Sequence, residues 1–181
     1  MNAKHYRIQT LGNLELLHFP LVKEGYLKHM HEEYSICFLE QGNVQTRYRG
    51  AAHLSTIHSL TVMNPAELHA GLIEKGETAS YFSLYPPADT MRQITKDWFN
   101  ADTLPYFGDP IVLDKRLAGK LEHFLGVLKN GSLELETRYL SFLAELIGRY
   151  GDSKFSLPMV KEEPRVVKAV KDYLHANIGR D

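Results

Sequence analysis

Glycine and proline divide the first 87 residues into short segments, and this spacing restricts the fold more than any other feature. The interruptions fall at Gly12, Pro20, Gly25, Gly42, Gly50, Pro65, Gly71 and Gly76. Six segments between them are rich in strand-forming residues: Leu14–Phe19, Ser35–Leu39, Val44–Arg49, Leu60–Met63, Leu68–Ile73 and Ser80–Tyr85. Because no helix of crossover length separates these segments, the pattern disfavours a parallel sheet and predicts an antiparallel sandwich or barrel.

Alternation within one of these segments indicates how it is buried. From Val44 to Arg49 the apolar or small side chains alternate with polar ones. Since successive side chains on a strand point to opposite faces, Val44, Thr46 and Tyr48 are expected on the buried face. Arg47 and Arg49 then lie on the exposed face, although either could pair with a carboxylate on a ligand.

The hydrophobic period changes after Pro87. A short helix is predicted over Asp89–Phe99, and Asp114 is placed to cap a second helix that ends near Lys129. Another helix, 132–150, completes an antiparallel hairpin. That helix is apolar over more than one stripe, so we expect a homodimer in which a second chain covers it. The alternative is that the first hairpin helix and the barrel cover both stripes within one chain.

Polar and turn-forming residues from 151 to 163 indicate a linker, and Pro164 begins a last amphipathic helix. The predicted organisation is therefore a barrel over 1–87, a helical region over 88–150, a linker over 151–163 and a final helix within 164–181. The apolar face of that last helix lacks partners, which predicts a further domain in the natural protein. The class is α+β, mainly β.

Charge and cysteine content exclude several classes of function. With 21 basic and 22 acidic residues the net charge is −1, which gives no electrostatic reason for nucleic acid to bind the main body of the chain. A single cysteine, Cys37, excludes an internal disulfide and a multi-thiolate metal site, and we expect it to be a buried packing residue. No signal peptide or membrane span is evident, so a soluble cytoplasmic protein is expected.

Two short motifs carry the candidate chemistry. In His29-Met30-His31 both imidazoles share a face if the segment is extended, and Glu67-Leu68-His69 presents a carboxylate and an imidazole in the same way. If strands Lys28–Tyr34 and Glu67–Ile73 face each other, three histidines and one glutamate converge. That set suits a divalent Zn, Ni, Fe or Mn ion, or a small polar effector. Solvated histidines in a loop before a strand are the competing interpretation.

These motifs resemble a known family when they are taken in order. The pattern comprises Gly25, His29-x-His31-Glu32-x-Tyr34, Gly42, Arg49-Gly50, Asn64-Pro65-x-Glu67-x-His69-x-Gly71 and Tyr81 to Pro86. It resembles the sensor domain of the AraC-type transcription regulators, which is a cupin barrel. The resemblance spans His18 to Pro86, is extended by the helical hairpin, and is completed by Pro164–Asn177, which is similar to the first helix of the family's helix-turn-helix domain.

The resemblance implies a regulator and not an enzyme. Its barrel would bind a small-molecule effector through His29, His31 and His69, with Glu67 and either Tyr48 or Tyr81 nearby. The hairpin would dimerise, and DNA would be bound only through a C-terminal domain that is largely absent from these 181 residues. The N-terminal segment, Met1 to Leu11, would either cover the barrel mouth in one state or form a first strand.

One departure from the pattern bears on an alternative function. Metal-dependent cupin enzymes are expected to carry a glutamate four or five residues beyond the second histidine, where this chain has Ser35 or Ile36. Glu67 could substitute from the other strand. A metal-dependent cupin enzyme that uses His29, His31, Glu67 and His69 therefore stays as the alternative to an effector sensor.

Overall fold

The structure is a computed structural model that describes residues 3–128, 133–152 and 155. Within these residues there are ten strands: β1 (Lys4–Ile8), β2 (Leu14–Val22), β3 (Tyr26–His29), β4 (Ser35–Gln41), β5 (Val44–Tyr48), β6 (Ala51–Ser55), β7 (Leu60–Met63), β8 (His69–Leu72), β9 (Ala79–Tyr85) and β10 (Ile111–Val112). The helices are α1 (Ala88–Phe99), α2 (Lys115–Val127) and α3 (Leu133–Tyr150), with one 3-10 turn at Gln9–Leu11. This confirms the α+β, mainly β class.

The strands form two antiparallel sheets. One has six strands in the order β1-β2-β9-β4-β7-β10, and the other has four in the order β3-β8-β5-β6. Tyr26 and Thr46 of the smaller sheet line the same interior cavity as Cys37 and Tyr81 of the larger sheet. The two sheets therefore face each other as the halves of a barrel, as the glycine and proline spacing predicted.

All six predicted strands are present, and the alternation in β5 is as expected, with Val44, Thr46 and Tyr48 buried. Two strands were not predicted, namely β6 and β10. The predicted strand Lys28–Tyr34 is wrong beyond His29, because the chain bends there. The N-terminal segment forms β1, an edge strand paired with β2, which is the first-strand alternative.

The main hydrophobic core lies outside the barrel, between the six-stranded sheet and the helices. Ile36 and Val62 from the sheet pack in one cluster with Met91 of α1, Leu121 of α2 and Phe142 of α3. Asp114 caps α2 as predicted, since its Oδ1 accepts hydrogen bonds from the backbone nitrogens of Arg116 and Leu117, each at 3.0 Å. The side chains that face the barrel interior are of both kinds, with Leu39 and Val44 lining one cavity together with Thr46.

The apolar faces of helix α3 are buried within one chain. It packs against α1 and α2, and its large apolar side chains are buried there: Leu135, Tyr139, Phe142, Leu143, Leu146 and Ile147. The apolar stripes are therefore covered as in the single-chain alternative, so they give no support to a homodimer, which stays a prediction.

The predicted linker and final helix lie outside the described residues, except for Gly151, Asp152 and Phe155. Gly151 forms an antiparallel bridge with Phe107, and the Asp152 nitrogen donates to the Tyr106 carbonyl at 2.9 Å. The described helices include none with the length and apolar character that crossing a membrane requires.

Candidate functional site: three histidines in the barrel

Three imidazole rings meet at one wall of the barrel cavity, with His69 buried, His31 half-buried and His29 exposed. His29 ends β3 and His69 begins β8, and the two residues are partners in the antiparallel ladder. His31 follows two residues after His29, beyond the strand. The ring centroids of His29 and His31 lie 4.4 and 4.8 Å from that of His69, and one ligand nitrogen from each ring lies within 4.8 Å of the other two. The structure thus brings together three of the predicted site residues.

Backbone carbonyls fix the orientation of all three rings. The Nδ1 atom of His29 donates to the Leu27 carbonyl at 2.8 Å, that of His31 to the Glu33 carbonyl at 3.1 Å, and that of His69 to the Glu67 carbonyl at 2.9 Å. A carbonyl oxygen can only accept, so each Nδ1 carries a proton. In a neutral ring the Nε2 lone pair is then free, which is the arrangement that metal-binding histidines use.

Burial keeps two of the rings neutral. The pKa of His69 is lowered to about 4, first because the ring is buried and further because two other histidines lie beside it. Burial also lowers the pKa of His31. Since only neutral imidazole offers a lone pair, these two side chains are ready to bind a cation at neutral pH.

The histidines stand at one wall of a cavity of about 190 Å³. Its other lining residues are Leu17, Phe19, Tyr26, Ser35, Cys37, Met63, Tyr81, Ser83 and Tyr85. Burial raises the pKa values of Tyr26, Tyr81 and Tyr85, so their hydroxyls stay protonated and can donate hydrogen bonds. Of the residues that the structure describes, no Asp, Glu, Lys or Arg lines this cavity. Tyr81 is therefore where the sequence placed it, beside the histidines.

The structure corrects the expected position of Glu67. Its carboxylate does not join the three imidazoles but is held by Arg49, whose Nε and Nη2 atoms donate to it at 3.0 and 2.8 Å. The reason is that β8 begins only at His69, so the two-residue alternation does not extend back to Glu67. Glu67 instead contributes its backbone carbonyl, which orients His69.

Tyr48 also differs from its predicted role. Its side chain is buried, and its hydroxyl donates to the Glu67 carboxylate and accepts from the Asn64 nitrogen at 3.2 Å. It does not line the histidine cavity. Tyr48 therefore supports the loop before β8, whereas Tyr26, Tyr81 and Tyr85 line the histidine cavity.

A larger groove of about 730 Å³ lies beside the same strands, but it contains only one of the histidines, His69. Its wall includes Lys28, Arg47 and Ala52, which are exposed. Because the convergent nitrogen donors lie in the smaller cavity, we place the candidate site there.

The donor set fits a divalent metal ion. Three nitrogen ligands from His29, His31 and His69 would leave coordination positions open for water or for a second ligand. Zinc, nickel and iron are suited to imidazole donors, whereas manganese prefers oxygen ligands, which Glu67 does not supply here. The four-ligand set with Glu67 does not form, so an ion here would rely on nitrogen from the protein alone.

Sequence reasoning missed several residues of this site. Tyr26, Ser83 and Tyr85 line the cavity, and Ser83 donates or accepts a hydrogen bond with the Cys37 sulfur at 3.1 Å. Cys37 itself faces the cavity, so it belongs to the wall and not to the hydrophobic core. Alternation within Ser80–Tyr85 carries a signal for Tyr81, Ser83 and Tyr85, since these residues share one face.

Comparison with known proteins gives consistent results. Residues 11–143 match the family described as the AraC-like ligand binding domain. The chain is 27% identical over 171 residues to the uncharacterized HTH-type transcriptional regulator YbfI of Bacillus subtilis (strain 168), covering 93% of this chain and 62% of the relative. It therefore spans less than two thirds of that relative's length.

Among solved structures, the chain is similar to the AraC-like transcriptional activator CuxR, with a TM-score of 0.53 and 13% identity over 97% of this chain and 63% of the other. An RmlC-like cupin of Methanocaldococcus jannaschii matches 48% of this chain and 81% of its own, with a TM-score of 0.41 and 10% identity. Because the family match covers most of the chain and includes the whole three-histidine cavity, this chain belongs to the AraC-like ligand binding domain family.

Proposed function

We propose that the chain is the effector-sensing part of an AraC-type transcription regulator, with the three-histidine cavity as its ligand site. The observation that carries the proposal is the convergence of three imidazoles whose Nδ1 protons are all donated to backbone carbonyls. Such fixed rings are prepared for a ligand and need no rearrangement to bind it.

We propose a divalent metal ion at His29, His31 and His69, either as the effector or as the anchor for a small molecule. The remaining volume of the 190 Å³ cavity then limits the effector to a small compound. Tyr81 and Tyr85 would donate hydrogen bonds to it, and Ser83 would contribute from the same face of β9.

The domain organisation of the whole protein is part of this proposal. Residues 1–87 would be the effector-binding barrel, 88–150 the helical dimerisation region, 151–163 a linker and 164–181 the first helix of a helix-turn-helix domain. DNA would be bound by that C-terminal domain in the cytoplasm. The match to an HTH-type regulator, of which this chain covers 62%, supports the arrangement.

Effector binding would act by shifting an equilibrium between two arrangements of the DNA-binding domains. A ligand can do this only if it binds one arrangement more tightly, and the usual coupling is about 1–3 kcal/mol. A homodimer through helix 132–150 would let the shift change the spacing of two DNA-reading units.

Thermal unfolding tests the ligand site. The chain is stripped with a chelator and then titrated with Zn²⁺, Ni²⁺, Mn²⁺ and Fe²⁺ in separate samples. At a concentration 100 times the dissociation constant, a specific ion should stabilise the fold by about 2.7 kcal/mol, which raises Tm by roughly 5–10 °C. His69→Ala should abolish the shift, and His123→Ala, on the exposed face of α2, should retain it. Equal shifts in both variants would refute the site.

The metal-dependent enzyme is the second candidate, because three nitrogen ligands with open positions are also a catalytic arrangement. The two functions differ in turnover. A metal-loaded chain that is stabilised by a small molecule without consuming it is a sensor. Repeated turnover of that molecule, lost in His69→Ala, would establish the enzyme.

A further inference from the structure

The segment that leads into β8 links the histidine site to a distant part of the fold. It begins at Asn64 and ends at His69. The backbone nitrogen of Ala66 donates to the His31 carbonyl at 2.8 Å, and the carbonyl of Glu67 accepts from His69 Nδ1 at 2.9 Å. Ala66 has a φ of 58°, a left-handed conformation that a non-glycine residue adopts only under constraint. Any ligand that draws His31 and His69 together therefore acts directly on this segment.

The other side of the segment is fixed to residues 107 and 108, which precede β10. Arg49 bridges the two parts: its Nε and Nη2 atoms bind the Glu67 carboxylate, and its Nη1 atom donates to the Gly108 carbonyl at 2.8 Å. The Asn64 side chain pairs with the backbone of Phe107 through two hydrogen bonds, of 3.0 Å to the carbonyl and 2.9 Å from the nitrogen. Charge-assisted and paired hydrogen bonds of this kind resist separation, so the segment from Asn64 to His69 should move together with residues 107 and 108.

Residues 106 and 107 in turn hold the end of α3. Phe107 is fully buried and forms an antiparallel bridge with Gly151, the residue after the helix. Asp152 donates its backbone N–H to the Tyr106 carbonyl at 2.9 Å. The last turn of α3 is thus joined by continuous hydrogen bonding to the loop that orients His69.

We propose that occupancy of the three-histidine site is transmitted to the end of α3 through Glu67, Arg49 and the backbone of Phe107 and Gly108. The inference rests on the proposed function, because it assumes that the histidines bind an ion. Arg49 is a positioning residue here: it does not touch the ion, and it couples the site to the point where the chain leaves the helical region.

Hydrogen exchange read by mass spectrometry tests the route, with Zn²⁺ as the probe and the full 181-residue chain as the sample. Zn²⁺ affinity is measured in parallel by calorimetry. In the wild-type chain, saturating Zn²⁺ should slow exchange by about fivefold or more at 26–34 and 66–72, and also at 104–112 and 146–152. In Arg49→Gln the first two regions should keep their protection and the last two should lose it.

The matched control is Arg47→Gln, on the exposed face of β5, which should behave as the wild type. Arg49→Lys provides a second test where Arg49→Gln fails to fold, since its ammonium can pair with Glu67 but cannot bridge to Gly108 in the same way. If Zn²⁺ still slows hydrogen exchange at 104–112 and 146–152 in both Arg49 variants, the proposed route is overturned.

Two further outcomes separate this inference from the proposed function. Tight Zn²⁺ binding with protection confined to 26–34 and 66–72 in the wild type would overturn the transmission and leave the site intact. Absence of Zn²⁺ binding would overturn the histidine site, and the inference with it.

Discussion

Asp114 joins the start of α2 to the end of α3, and its replacement tests how these two helices are held. Its Oδ1 atom caps α2, and its Oδ2 atom accepts from Arg149 Nη1 at 2.8 Å and from the Tyr150 hydroxyl at 3.0 Å. The Asp114 side chain is only 10% exposed. Asp114→Ala removes all of these contacts, whereas Asp114→Asn keeps a good capping oxygen but replaces the charged Oδ2 acceptor by an amide NH2 that cannot accept from Arg149.

The expected loss follows from the individual contacts. The cap contributes about 1 kcal/mol to the free energy of unfolding, and the Tyr150 hydrogen bond about 1 kcal/mol. The Arg149 pair adds about 0–1 kcal/mol, because Arg149 is 37% exposed and also pairs with Glu145 at 2.9 Å. The free energy of unfolding should therefore fall by about 2–3 kcal/mol in Asp114→Ala and by about 1 kcal/mol or less in Asp114→Asn.

Urea unfolding at several pH values measures both effects. Hydrogen bonding from the Leu117 nitrogen, more than any other interaction, lowers the pKa of Asp114 below its ordinary value. The unfolded chain consequently binds more protons, so this contribution to stability is present above the unfolded value of about 3.9 and is lost as pH falls through the folded value. The difference between wild type and Asp114→Asn should shrink below about pH 4. Equal stability of the Ala and Asn variants at pH 7 would refute the capping argument.

Three further predictions concern individual side chains. Burial raises the pKa of the Cys37 thiol, so alkylation by iodoacetamide at pH 8 should be at least about tenfold slower than that of free cysteine. Mass spectrometry measures this rate, and a rate equal to that of free cysteine would contradict burial of the thiol in the cavity wall. In Gly71→Ala the new Cβ would lie 2.2 Å from the Tyr26 ring, so Tyr26 must shift against His29 and His69. Calorimetry should then show at least about tenfold weaker Zn²⁺ binding, because residues that support metal ligands affect affinity by at least that factor. Unchanged affinity would show that Tyr26 does not support the histidines. The buried Tyr139 hydroxyl has no hydrogen-bond partner among the described residues. Tyr139→Phe should therefore raise the free energy of unfolding, measured in urea, by about 1 kcal/mol. A lower free energy of unfolding in this variant would show that the hydroxyl has a partner.

Local patterns in the sequence were sufficient for the strands and for part of the site. Alternation predicted the buried face of β5, and the turn residues predicted the antiparallel barrel, because both depend on neighbours within one strand. The two-residue spacing of His29 and His31 pointed to a shared ligand. The structure brings these rings together even though the strand ends at His29, since each ring is held by a nearby carbonyl.

Features that depend on the contacts between distant segments could not be predicted in the same way. Glu67 has the right spacing from His69, but it lies before the strand, and Arg49 from the neighbouring hairpin determines where its carboxylate points. The sequence left the cover of α3 open between two alternatives for a similar reason: whether an apolar stripe faces its own chain or another depends on how helices pack, which periodicity does not encode.

An anomalous difference map from crystals grown with Zn²⁺ tests the central claim most directly. We predict one zinc ion in the barrel, about 2.0–2.1 Å from an Nε2 atom of each of His29, His31 and His69, with Glu67 still paired to Arg49. A barrel without anomalous density at these rings, in a chain shown by calorimetry to bind the ion, would contradict the claim.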